Sequence, residues 1–132
     1  MKKIIVFLLI FSTIFLLSCD FDKAQAYGND FCYALAQSND AAKEYLHPSS
    51  KLNGDRFENF VNKLEEFNEI DFSSGIEVKG SSFSASSYRY DVNGYHYEYI
   101  YEVTINGKTV KMFCIIIDDV HGYGIYSFGI IE

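Results

Sequence analysis

The sequence predicts an α+β fold: two N-terminal helices packed on a curved antiparallel four-stranded meander, a cone-shaped roll. Three observations carry this. Apolar residues between 27 and 67 recur at helical spacing, the period switches to two after Ile70, and two Asn-Gly pairs punctuate the alternating runs. Helices that precede an antiparallel sheet belong to the α+β class, with the helices on one face.

A chain of 132 residues suits one domain, and 48% hydrophobic against 22% charged residues marks it as globular rather than disordered. Asp and Glu number 18 against 11 Lys and Arg, a formal charge of −7. That balance excludes a nucleic-acid binder, because affinity for phosphate needs clustered cations. Three cysteines are too few for a disulfide scaffold and lack zinc-ligand spacing.

Residues 1–18 read as an export signal. Lys2 and Lys3 precede an apolar run from Ile4 to Leu17, which is short for a membrane span of about 20 residues. The run ends Leu16-Leu17-Ser18-Cys19, which resembles the bacterial lipoprotein signal, the lipobox. The resemblance implies cleavage before Cys19, lipidation of its thiol and a place on the extracytoplasmic side of a cell membrane. Asp20 is similar to the inner-membrane retention residue of some diderm lipoproteins, and the sequence leaves inner and outer membrane both open. The alternative is an uncleaved N-terminal anchor with an incidental cysteine. Cleavage takes the basic count from 11 to 9, and so acidic a body should stand off an anionic leaflet. Residues 19–26 are then a polar lipidated tether, and the folded domain is 27–132.

In the first helical stretch, Tyr27, Phe31, Ala34, Leu35, Ala42, Tyr45 and Leu46 fall on one face. Ser38-Asn39-Asp40 is either a polar surface turn of one helix or a break between two. His47-Pro48 ends the element, since the residue before proline is driven out of the α region. The second helix starts at Asn53 or Asp55 and buries a stripe of Phe57, Phe60, Val61, Leu64 and Phe67.

The strands follow. Asn93-Gly94 and Asn106-Gly107 are hairpin signals, because both central residues of a type I′ turn need positive φ. Two-residue loops fix the register. Around the first, Val92 faces Tyr95, Tyr90 faces Tyr97 and Tyr88 faces Tyr99. Around the second, Ile105 faces Lys108, Val103 faces Val110, Tyr101 faces Met112 and Tyr99 faces Cys114. The opposite face then pairs Arg89 with Glu98, Asp91 with His96 and Glu102 with Lys111, the opposite-charge pairing that cross-strand neighbours favour. A last strand, Tyr123 to Ile131, returns after the Asp118–Gly122 turn. An earlier short strand at Ile76–Val78 runs or bends into the first long one.

The order Phe31…Ala34-Leu35-Ala36…Asn39-Asp40…Ala42…Tyr45-Leu46-His47-Pro48, then a second helix and long strands, resembles the nuclear transport factor two-like superfamily. It is most similar to the small lipoproteins of unknown function in that group. The resemblance covers most of 27–131. It implies a cone-shaped roll, helices filling the concave face, and often a dimer through the sheet. The chain has fewer helices than the full family pattern.

Enzymes of that superfamily place an acid or a histidine in the cone. Here His96 falls on the outer face, His121 sits in a turn with Asp118 and Asp119, and His47 lies at a helix end, where its charge suits the macrodipole. His121 with the two aspartates has the residue types of a cation site, but turn formation is the preferred explanation of them. The predicted core face carries no Asp or Glu between Tyr88 and Cys114, so no general base, metal or cofactor is expected.

Two surfaces remain. Tyr88, Tyr90, Tyr95, Tyr97, Tyr99 and Tyr101 share a face, either as core or as a ring-lined pocket for a small amphipathic ligand. Ile100, Phe113, Ile115 and Ile117 project from the other face, where a second copy or a protein partner would cover them. Cys32 and Cys114 are left as an even pair in an oxidising compartment, bridged or buried as thiols. The sequence thus predicts a membrane-anchored, non-catalytic binding or assembly module. The alternative is a small cone-pocket enzyme of the isomerase or dehydratase kind, which would need a buried carboxylate or histidine.

Overall fold

A computed structural model describes residues 21–89 and 94–131. Helix α1 covers 21–37, α2 Asn39–Lys43 and α3 Arg56–Asn68, with a 3-10 turn at Phe72–Ser74. Strands β1 (Ile76–Arg89), β2 (Gly94–Ile105), β3 (Lys108–Asp119) and β4 (Gly122–Ile131) form one antiparallel sheet in that order. This is the α+β meander the sequence predicts, with the first helical stretch broken in two.

The break has a local cause. The Ser38 hydroxyl accepts the Ala41 N–H at 3.0 Å and so starts α2 as its N-cap. The tether expected at 19–26 is also different, because the chain is helical from Phe21 onward. Ala24 is buried, and the Tyr99 and Tyr101 hydroxyls donate to the Phe21 and Gln25 carbonyls at 2.9 and 2.7 Å. Polar composition alone suggested a linker, but the sheet supplies partners for one face of that segment.

One core lies between the helices and the sheet. Phe128 of β4 is its hub. Its ring meets Phe31 of α1 at 4.8 Å between centroids and Phe57 and Phe60 of α3 at 5.9 and 5.1 Å. Burying Phe57 and Val61 stabilises α3 by about 1.5–3 kcal/mol per side chain. Phe67, expected in the same stripe, is 78% exposed. It sits in the last turn of α3, just before the chain reverses at Glu69 in the left-handed region.

The second hairpin has the expected register: Tyr101 faces Met112, Tyr99 faces Cys114 and Glu102 faces Lys111. Asn106 and Gly107 have φ of 49° and 80°, as a two-residue type I′ turn demands. The first hairpin differs. Tyr88 faces Tyr95 rather than Tyr99, Arg89 faces Gly94 rather than Glu98, and His96 faces Ser87 rather than Asp91. Tyr90, Asp91, Val92 and Asn93 lie outside the described residues. Gly94 is a strand residue pressed against β3, where a Cβ would come within 2.6 Å of the Asp118 carbonyl oxygen. Its missing side chain serves close packing of strands rather than a two-residue turn. The shift is four residues, an even number, so the alternation of β2 between the two faces is unchanged. Bulges between Val78 and Gly80 and between Phe83 and Ala85 let the long β1 follow β2.

Candidate functional site

A polar cluster is built where the segment after α2 meets β4. Residues 45–47 run beside the β4 edge: the Ile125 N–H donates to the Tyr45 carbonyl at 2.7 Å, and the His47 N–H donates to the Ile125 carbonyl at 2.8 Å. The extended backbone suits a residue that precedes Pro48. A register irregularity in β4 opposite Ile115 and Ile116 accompanies this, and the Ser50 hydroxyl donates to the Tyr126 carbonyl there at 2.8 Å. Asn53 adds bonds from its amide to the His47 and Ser50 carbonyls.

This strap places His47, fully buried, against the β3–β4 turn. The Ser49 N–H points at Nδ1 at 3.0 Å, which assigns the ring proton to Nε2. Nε2 then lies 2.9 Å from Asp119 Oδ1 and 3.2 Å from the Gly122 carbonyl. Asp119 Oδ1 also accepts the His121 N–H at 2.9 Å. Burial raises the Asp119 carboxyl, but the hydrogen bonds from His121 and His47 and their charges outweigh it and hold it below its ordinary value. The role expected for His47, a charge at a helix end, is therefore replaced by a buried bond to a carboxylate. A His-Pro pair and an acid-rich turn each have a local explanation, so nothing in the sequence pattern points to their pairing.

Beside this pair is a cavity of about 160 Å³ lined by Ser49, Tyr95, His96, Ile117, Asp119, His121 and Tyr126, among others. It holds two imidazoles and a carboxylate, which suit a small polar molecule. His47 is not in its lining, and both its ring nitrogens are engaged. Asp118 is exposed on β3, and among the described residues no three His, Cys, Asp or Glu side chains group to hold a metal ion.

Three residues of the tyrosine face are core, and Tyr95 is exposed. Tyr97, Tyr99 and Tyr101 are buried under α1, two of their hydroxyls are taken by helix carbonyls, and the Phe21 ring packs on Tyr97. They do not line an open cone, because α1 begins earlier than the sequence suggested and fills that space. Tyr88 belongs to β1, opposite Tyr95, and Tyr90 lies outside the described residues. On the other face, Ile100, Phe113 and Ile115 are half-buried and stand outside the main core, while Met112, Cys114 and Ile116 belong to it. Ile117 is buried, which removes it from the expected open surface, since it forms a wall of the cavity with Tyr126. Cys32 and Cys114 are buried free thiols that influence each other electrostatically. The Cys32 thiol, then burial, pushes the Cys114 thiol well above its usual range.

Cys19 lies outside the described residues, and among those described no helix is long and apolar enough to cross a membrane. Comparison with protein-family models, curated proteins and solved structures returned no match.

Proposed function

We propose that the chain is an extracytoplasmic lipoprotein, anchored through Cys19, that works as a non-catalytic binding or assembly module and docks a protein through the outer face of its sheet. The observation that carries this is the two-sided character of β3. Met112, Cys114 and Ile116 enter the core under the helices, whereas Phe113 and Ile115 project away from it beside Ile100 of β2. A strand apolar on both faces is ordinarily covered on both. The cross-strand pair Glu102 and Lys111 and the neighbouring Glu98 give that apolar row a charged border, the usual plan of a docking surface.

The absence of catalysis in this reading is supported by the buried pair. His47 stands outside the cavity lining with both ring nitrogens hydrogen-bonded, and Asp119, held below its ordinary value, is a weak base. The double substitution Phe113→Glu with Ile115→Lys tests the reading. Self-association by sedimentation, and crosslinking in the native membrane, should both be lost while circular dichroism is unchanged. A wild-type chain that stays monomeric and uncrosslinked, with a double variant that is unfolded, would place the face in the core and overturn the reading.

A further inference from the structure

We propose that the end of the domain where α1 begins is a lipid-contact surface, seated in the headgroup region of the bilayer by Phe21, Phe83, Tyr95 and Val120. This rests on the anchor at Cys19. One residue, Asp20, separates Cys19 from Phe21, and two peptide steps reach no farther than about 7 Å. Phe21 itself is fixed, because it belongs to a helix that the Tyr99 and Tyr101 hydroxyls and the buried Ala24 hold to the sheet. A lipid on Cys19 therefore brings this end of the body to the membrane, in place of the stand-off expected from the acidic charge of the body.

The side chains found there suit that place. Phe21, Phe83, Tyr95 and Val120 are 36%, 49%, 48% and 64% exposed. They are joined in space: the Phe21 ring meets Phe83 at 5.4 Å and Tyr97 at 5.6 Å, and Tyr95 stacks on Tyr97. Asp118, the cross-strand neighbour of Tyr95, leads into the turn that carries Val120. Phe67 and Ile131, also exposed, sit at the far end, near the Ile105–Lys108 hairpin. Aromatic rings with adjacent polar groups prefer the membrane interface, and Lys23, over the Tyr123 ring at this end, offers a cation to lipid phosphate. The exposed Asp22 and Asp118 limit the depth to that interface.

The chain has no tryptophan, so single reporters are clean. Tyr95→Trp, Val120→Trp and Phe67→Trp are made in the full chain, produced in a lipid-processing bacterium and reconstituted in phosphatidylcholine vesicles with or without brominated acyl chains. The first two should lose most of their emission to the bromines and shift to the blue, and Phe67→Trp should be unchanged. Equal quenching at all three, or none at Tyr95→Trp and Val120→Trp, would overturn the proposal. Reporters shielded from both bromines and aqueous iodide would assign the surface to residues 1–20 and overturn it as well. Mass spectrometry of Cys19 separates the two ideas. An unmodified thiol ends the lipoprotein reading and this proposal with it, whereas a lipidated Cys19 with equal or absent quenching ends the contact surface alone.

Discussion

His47 Nε2 lies 2.9 Å from Asp119 Oδ1, although 72 residues separate them in the chain. The bond joins the strap after α2 to the β3–β4 turn and is buried on both sides, with side-chain exposures of 0% and 7%. Its function is to hold an irregular segment against a sheet edge that would otherwise be open to pairing with another chain.

The acid stability of the protein follows from that pair. The Asp119 carboxyl is lower in the folded chain than its ordinary 3.8. A depressed carboxyl contributes stability that is present above its unfolded value and lost as pH falls through the folded one. Urea midpoints should fall below about pH 4, and Asp119→Asn should flatten that limb. His47→Ala should cost about 2 kcal/mol at neutral pH, because it leaves buried polar groups without partners. An unchanged acid limb in Asp119→Asn would assign the loss to other carboxylates.

Tyr101→Phe isolates the bond that fixes the start of α1. Its hydroxyl is fully buried and donates to the Gln25 carbonyl at 2.7 Å, and burial drives it far above the usual phenol range. The substitution should cost about 1 kcal/mol and speed amide exchange in 21–28 ahead of the sheet. Equal exchange in both variants would show that the helix start is held by packing alone.

Cys32 of α1 and Cys114 of β3 are both buried at the helix–sheet interface, and the Cys32 thiol raises that of Cys114. Exported to an oxidising compartment, the protein should carry one bridge between them, read as the loss of two hydrogens in the intact mass without reductant. Closing so long a loop should add about 4 kcal/mol on the chain-entropy account. Two free thiols in the exported protein would show that the pair packs as small hydrophobes.

Glu69 caps α3 in the left-handed region, with φ of 56° and its N–H on the Glu65 carbonyl. Glu69→Gly should raise stability by up to about 1 kcal/mol, since only glycine adopts that conformation without strain. A lower melting temperature in the variant would mean that the freedom given to the unfolded chain outweighs the strain removed.

The sequence by itself determined the class, the strand count, the second hairpin and the faces of its strands. Those depend on neighbours in the chain: a period of two, and an Asn106-Gly107 pair that puts two positive φ angles where the turn needs them. Tertiary structure decided the rest. Gly94 carries the same local signal as Gly107 but serves close contact with Asp118, and that moved the first hairpin by four residues. Residues 21–26 look like a linker until Tyr99 and Tyr101 of a distant strand bond to their carbonyls. His47 and Asp119 meet only because the strap and the turn are brought to the same end of the sheet. Local conformational preference is written in adjacent residues. The partner of a buried polar group is chosen by whichever segment of the chain packs over it, and no spacing in the sequence records that choice.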